Sequence, residues 1–206
     1  MASVFDVAKY ILHECGEMST WKLQKLCYYA QAWHLAWTGN ELFPEDFEAW
    51  ANGPVCPELF QAHRGKFVIG EDGLRRGDAT ALNEDERESV DVVLKGYGDR
   101  EPYDLREQSH SEPPWKDTRQ GLSEGERSNT RITKESMGEY YGSLLGYVGE
   151  KVSTRTTLQK SALHTRNTLN GAVRPRFFMV CRRWKGSMLP PFTYPYCKSF
   201  HIHSTL

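Results

Sequence analysis

The sequence predicts a mainly α-helical, compact multi-helix domain with a minor short β-hairpin over residues 1–146, followed by an irregular basic tail over residues 147–206. Three observations carry this reading. Apolar residues recur at helical spacing in several segments, most of which open on a capping residue or close on a glycine. One stretch, Phe47-Glu48-Ala49-Trp50-Ala51, instead alternates with period two and runs into Asn52-Gly53-Pro54. Charge also divides the chain: residues 1–146 hold 16 Lys/Arg and 26 Asp/Glu and residues 147–206 hold 10 and 1, so balances of −10 and +9 lie behind a net charge of −1. At average usage a 60-residue segment would carry about 7 acids. The tail has only Glu150, together with four prolines and no sustained hydrophobic period.

The elements follow in order. Ser3-Val4-Phe5-Asp6 fits a capping box, in which the serine side chain accepts from the third helical amide and the acid returns to the serine amide. The first helix should bury Val4, Val7, Ala8, Ile11, Leu12 and Cys15 and stop at Gly16. Ser19 or Thr20 caps a second helix over about Trp21–Thr38, which carries Leu23, Leu26, Cys27, Ala30, Trp33 and Trp37 on one face and Tyr28, Ala32, Leu35 and Ala36 around much of the rest. A helix apolar nearly all round belongs in the middle of a fold.

The alternating segment reads as a strand entering a turn. Pro57–His63 suits a third helix, and Lys66–Ile69 reads as a second strand pairing with the first. Asn83-Glu84-Asp85-Glu86 is capping-box-like and acidic where the helix dipole is positive, and Val90, Val93, Leu94 and Tyr97 line the buried side of the helix it opens. A shorter helix covers Tyr103–Gln108 and is broken by Pro113-Pro114-Trp115. The last helix, about Lys134–Leu145, turns Met137, Tyr140, Tyr141 and Leu144 inward.

Composition excludes several classes. No apolar run approaches the roughly 18 residues of a membrane span, and the N-terminus lacks a basic-then-apolar signal pattern, so a cytoplasmic protein without membrane contact is expected. Five cysteines, Cys15, Cys27, Cys56, Cys181 and Cys197, are far apart and form no CxxC pair, which reads as reduced thiols without a disulfide framework or zinc site. The histidines His13, His34, His63 and His110 have no second histidine three or four residues away. No phosphate-cradling loop, nucleophile elbow or zinc-protease signature occurs. Neither a catalytic residue, a metal nor a cofactor is expected.

The aromatics are more informative. Trp21, Trp33, Trp37, Trp50 and Trp115 with Tyr28, Tyr29, Tyr140 and Tyr141 exceed the ordinary needs of a core this size, so while most pack inside, some should reach the surface and anchor a partner. Lys22 and Lys25, three apart, form either a solvated face or an acid-binding pair.

Helix two through the following turn, STWKLQKLCYYAQAWHLAWTG and FEAWANGPVCPELF, resembles the Panacea, or SocA-like, antitoxin domain family, including its phage-associated GepA-like members. The resemblance rests on the KLQKL-x-YYAQ-x-W helix, the aromatic-Ala-Trp strand before Asn-Gly-Pro-Val, Leu105 through the SHSEPPW segment to Trp115, and Ile132 with MGEYY, and it spans about residues 2–145. It implies a non-catalytic antitoxin that binds a cognate protein toxin encoded beside it; one branch delivers the toxin to a protease. Matching positions brought forward as partner-binding are Lys22, Gln24, Lys25, Tyr28, Tyr29, Gln31, Trp50, Asn52 and Trp115, with the exposed side of helix two and the Asn52 turn as the contact surface. Gly53 and Pro54 match as structural turn residues.

The tail lies outside the resemblance and fits a genuine extension, a recombined phage junction or an out-of-frame reading. Two other functions remain open. Nucleic-acid binding would use Arg174, Arg176, Arg182, Arg183 and Lys185 interleaved with Phe177, Phe178 and Trp184, pairing phosphate contacts with base stacking. A hydrolase would have to use His34, His63 and Glu48, whose spacing does not recommend it.

Overall fold

A computed structural model describes residues 1–123 and 125–146. The basic tail, with Cys181, Cys197 and the nucleic-acid candidates, lies outside the described residues. Helix α1 (Val4–Cys15) opens on the complete capping box, Ser3 Oγ accepting from the Asp6 amide and Asp6 from the Ser3 amide. It closes at Gly16, whose φ of 74° suits glycine and whose amide donates to Leu12 O. Val4 to Leu12 supply the buried stripe as expected. Cys15 does not join it and is exposed, because it is the last helical residue before the chain turns away.

Strand β1 (Met18–Ser19) leads directly into α2 (Thr20–Thr38), capped by Ser19 Oγ on the Lys22 amide and closed by Gly39 in the left-handed conformation. Strands β2 (Phe47–Trp50) and β3 (Gly53–Val55) form a tight antiparallel hairpin with Trp50 opposite Gly53 and Ala49 opposite Pro54. Asn52 is therefore at the tip, and Gly53 and Pro54 belong to the returning strand. Helix α3 (Pro57–His63) follows.

Strand β4 (Val68–Ile69) corrects the predicted pairing: it lies antiparallel to β1, Met18 opposite Ile69, and not against β2. The start of α2 has open donors, and the Thr20 amide and hydroxyl take the Phe67 and Lys66 carbonyls at 2.9 and 3.3 Å. The free edge of β2 is filled instead by β5 (Arg131–Ile132), giving the order β3-β2-β5.

Helix α4 (Glu84–Tyr97) begins on the expected Asn83/Glu86 capping box. Helix α5 (Pro102–Ser111) ends before the proline pair, but the pair also opens α6 (Pro113–Thr118), since a proline in the first turn lacks only a donor that would have no helical partner. In α7 (Lys134–Gly146) Met137 and Tyr141 point inward and Tyr140 is half-buried. Leu144 departs from expectation and is exposed, because the inward face of α7 runs through Met137, Tyr141 and Leu145, which packs against the core, and Leu144 lies to one side of it. Among the described residues no helix is long and apolar enough to cross a membrane.

Helix α2 is the central pillar, packed against α1, α3, α4, α5, α7 and β3. Every residue from Leu23 to His34 is buried. Most of the surplus aromatics are therefore inside. Tyr29 stacks on Tyr97 with centroids 4.2 Å apart, and Tyr28 meets Phe47, Tyr29 and Tyr141 edge-on.

A buried polar side chain on such a pillar must find partners. Gln31 finds three: Oε1 accepts from the Leu42 and Phe43 amides at 3.0 and 3.2 Å, and Nε2 donates to Phe43 O at 3.1 Å. It thereby holds the loop between α2 and β2. Gln31→Leu keeps the bulk and strips all three, each worth about 1–3 kcal/mol when left unpaired. Urea titration should show a loss of about 3 kcal/mol or more; a loss under about 1 kcal/mol would mean that water replaces the glutamine.

Candidate functional site

One turn of α2 and the hairpin beside it bring most of the candidate residues into a single buried polar assembly. Gln24 Oε1 accepts from the Cys56 amide at 2.9 Å and its Nε2 donates to Cys56 O at 3.3 Å, while the same Nε2 lies 3.0 Å from His63 Nε2. Lys25 reaches the other end of β3, where Nζ donates to Pro54 O at 3.0 Å. Burial pulls this amine down to about 7, helped by the positive charge of Arg106. Gly53 is required here: its φ is +100°, and a Cβ would stand 2.7 Å from both Lys25 Cε and Nζ.

Helix α6 holds the hairpin from the other side. Trp115 Nε1 donates to Trp50 O at 3.0 Å and Arg119 donates to Ala49 O at 2.8 Å. The Trp115 ring is stacked on His110, centroids 3.8 Å apart and planes 6° from parallel. Burial first, then the positive charges of Arg106, Lys25 and Arg119, hold His110 down at about 4, so its ring is neutral. Trp50 is half-buried, edge-on to Phe60 at 5.0 Å, and its Nε1 donates to Glu48 Oε2 at 2.7 Å.

Tyr29 belongs to a second buried network. Glu112, at the junction of α5 and α6, accepts from Tyr141 at 2.6 Å, Gln108 at 2.9 Å and Tyr29 at 3.3 Å. Burial raises its carboxyl to about 7 against the opposing effect of these three hydrogen bonds.

The placement corrects the predicted contact surface. Gln24, Lys25, Tyr28, Tyr29, Gln31 and Trp115 are buried in this fold: Gln24, Lys25 and Gln31 serve as hydrogen-bond partners of the backbone around α2, Tyr28 and Tyr29 pack among the core aromatics, and Trp115 holds the hairpin. Lys22 and Trp50 are half-buried, and Asn52 alone among the nine is exposed. The hydrolase candidates do not converge either. His34 Nδ1 is 2.8 Å from Ser89 Oγ, His63 is on Gln24, and Glu48 is on Trp50. Sequence reasoning assigned no role to Glu112 or Arg119, whose importance lies in carbonyls and hydroxyls supplied by distant segments. The signal within reach was an acid wedged before two prolines in SHSEPPW.

Comparison with known families matches residues 23–116 to the antitoxin SocA-like Panacea domain. The match is narrower than the resemblance over 2–145: it runs from α2 through α6 and leaves out α1, β5 and α7, although α7 packs on α2. No curated protein and no solved structure matches the chain. The matched span contains most of the pillar helix, the hairpin it holds and the α5–α6 junction that closes over both, so it is over residues 23–116 that this chain is similar to the antitoxin SocA-like Panacea domain.

Proposed function

We propose that the chain is a cytoplasmic, non-catalytic antitoxin that neutralises a cognate protein toxin, encoded by an adjacent gene, through direct contact. The observation that carries this reading is the match of residues 23–116 to a family described as antitoxin. The use of polar groups supports it. His34, His63 and Glu48 are each engaged by a different structural partner, the buried lysine and glutamines of α2 hold backbone, and Glu112 gathers the hydroxyls of Tyr29 and Tyr141, as in a scaffold that presents surfaces. Direct contact is favoured over delivery to a protease as the simpler requirement on one folded domain, and one experiment separates the two.

Expression of the adjacent gene alone should arrest growth, and co-expression of the full chain should restore it, with the two proteins co-purifying. Rescue that disappears in a protease-deficient host, while the complex still forms, would assign delivery instead. A harmless neighbouring product, or a folded chain that neither rescues nor binds, would end the antitoxin reading.

A further inference from the structure

Most of the apolar surface of this fold is inside, which makes one exception informative. Phe67 is 90% exposed, Val68 and Trp21 are each 50% exposed, and they are neighbours: the Thr20 amide donates to Phe67 O, and Ser19 pairs with Val68. Scattered single apolar residues are ordinary on a surface; three together at one small sheet are a patch. Beside it is a groove of about 410 Å³ lined by Ala62, Lys66, Gly73, Arg75 and Arg76. Three of these five are cations and none is an acid, within a segment whose balance is −10 over residues 1–146.

Two of the three cations are held in place. Lys66 Nζ donates to Gly73 O at 2.7 Å, and the Arg76 guanidinium lies 3.7 Å from the centroid of the Phe5 ring. Arg75 is exposed and makes no hydrogen bond or ion pair among the described residues. Lys66 and Arg76, fixed next to an exposed aromatic, lower the ordering cost of binding, and Arg75 adds a cation free to engage a partner, so anchor and charge pattern come together.

We propose that Trp21, Phe67 and Val68, with the groove of Lys66, Arg75 and Arg76, form a docking site for a short acidic protein segment bearing an apolar side chain. Assigning that segment to the toxin rests on the antitoxin reading; the docking chemistry does not. Charge complementarity selects the occupant. A nucleic-acid backbone extends past any one groove and would meet the exposed Asp72 and Asp78 on either side of Arg75 and Arg76 in the chain, in an acidic domain, whereas a short acidic peptide is small enough to lie along the groove, whose lining holds three cations and no acid.

The test uses the full chain, amide NMR spectra, and the synthetic peptide Glu-Glu-Phe-Glu-Glu-Leu-Glu as probe. Shifts should concentrate at residues 19–22 and 62–76. Phe67→Ser and Arg75→Glu, both at exposed positions that leave the fold intact, should each weaken the peptide about tenfold. The same two variants should rescue growth less well against the adjacent toxin. Peptide shifts spread elsewhere, or unchanged affinity in both folded variants, would overturn the site. So would oligothymidylate shifting these amides more strongly than the peptide, which would make the surface a nucleic-acid one. Rescue that persists in both variants beside lost peptide binding would remove the toxin from this site while leaving the antitoxin reading intact. Localised peptide binding with a harmless neighbouring gene would leave the site and remove the toxin.

Discussion

Trp33→Ala should cost the fold about 3–5 kcal/mol, the range expected when a buried aromatic is cut back and its space only partly refills. Trp33 is 4% exposed, stacks on Trp37 with centroids 5.5 Å apart and meets Tyr141 edge-on at 5.1 Å. Its Nε1 donates to the Tyr97 hydroxyl at 2.9 Å, so truncation also takes a hydrogen bond from a second buried ring. The cavity would open beside α2, α4 and α7, the helices that form most of the core, where the backbone has little freedom to close it. Urea unfolding of the two proteins, compared at equal slope, measures the loss. Trp21→Ala is the control: half-exposed at the start of the same helix, it should change stability by no more than about 0.5 kcal/mol. A loss below about 1 kcal/mol for Trp33→Ala would mean that this face of α2 is not the packed one.

Lys25→Met should stabilise the protein near neutral pH, by about 3 kcal/mol. The folded chain holds this buried amine at about 7, while in the unfolded chain it returns to about 10.4. Between those values the unfolded chain binds more protons, so stability climbs as pH rises through the window; below it the fold bears the full cost, about 4–5 kcal/mol. Methionine has similar length and no charge to desolvate, and the hydrogen bond it forfeits to Pro54 O is worth about 1 kcal/mol. The gain should therefore shrink toward about pH 9.5, where the wild-type amine is cheaper to bury. Glu112 has the opposite sign. Its carboxyl is raised to about 7 from an ordinary value of 4.5, so its contribution is complete below 4.5 and is lost as pH rises to about 7. Wild-type stability should then fall from about pH 4.5 to 7 and rise again above it, with Glu112→Gln flattening the acid limb and Lys25→Met the alkaline one. Denaturant titrations across this range check both. A Lys25→Met protein that is less stable at every pH would show that the amine has a favourable partner in solution.

The correctly anticipated elements share one property: their determinants lie within a helical turn of one another. Ser3 with Asp6 and Asn83 with Glu86 are three residues apart, Gly16 and Gly39 directly follow the helices they stop, and the apolar girth of α2 is contained in its own residues. Such interactions are set by chain geometry before any distant contact forms. The pairing of β4 with β1 was not of this kind, because Val68–Ile69 offers the same donors and acceptors to any edge. The open amide of Thr20 and the occupation of β2 by β5 decided where it went. Cys15 and Leu144 continue an apolar period yet are exposed: Cys15 stands where α1 ends, and in α7 the inward face runs through Met137, Tyr141 and Leu145 and leaves Leu144 outside, which the approximate period did not resolve. The burial of Gln24, Lys25, Gln31 and Glu112 was likewise beyond sequence. A polar side chain can go inside only where other segments leave backbone groups or hydroxyls in need of it, and those of Cys56, Pro54, Leu42, Phe43 and Tyr141 reach these side chains only in the assembled fold. Sequence by itself therefore determined the helices, their caps, the pillar role of α2 and the likeness to the Panacea domain; tertiary structure alone decided which polar residues are scaffold and which aromatics remain outside, because hydrogen-bond satisfaction and burial are properties of the whole packing and not of any one segment.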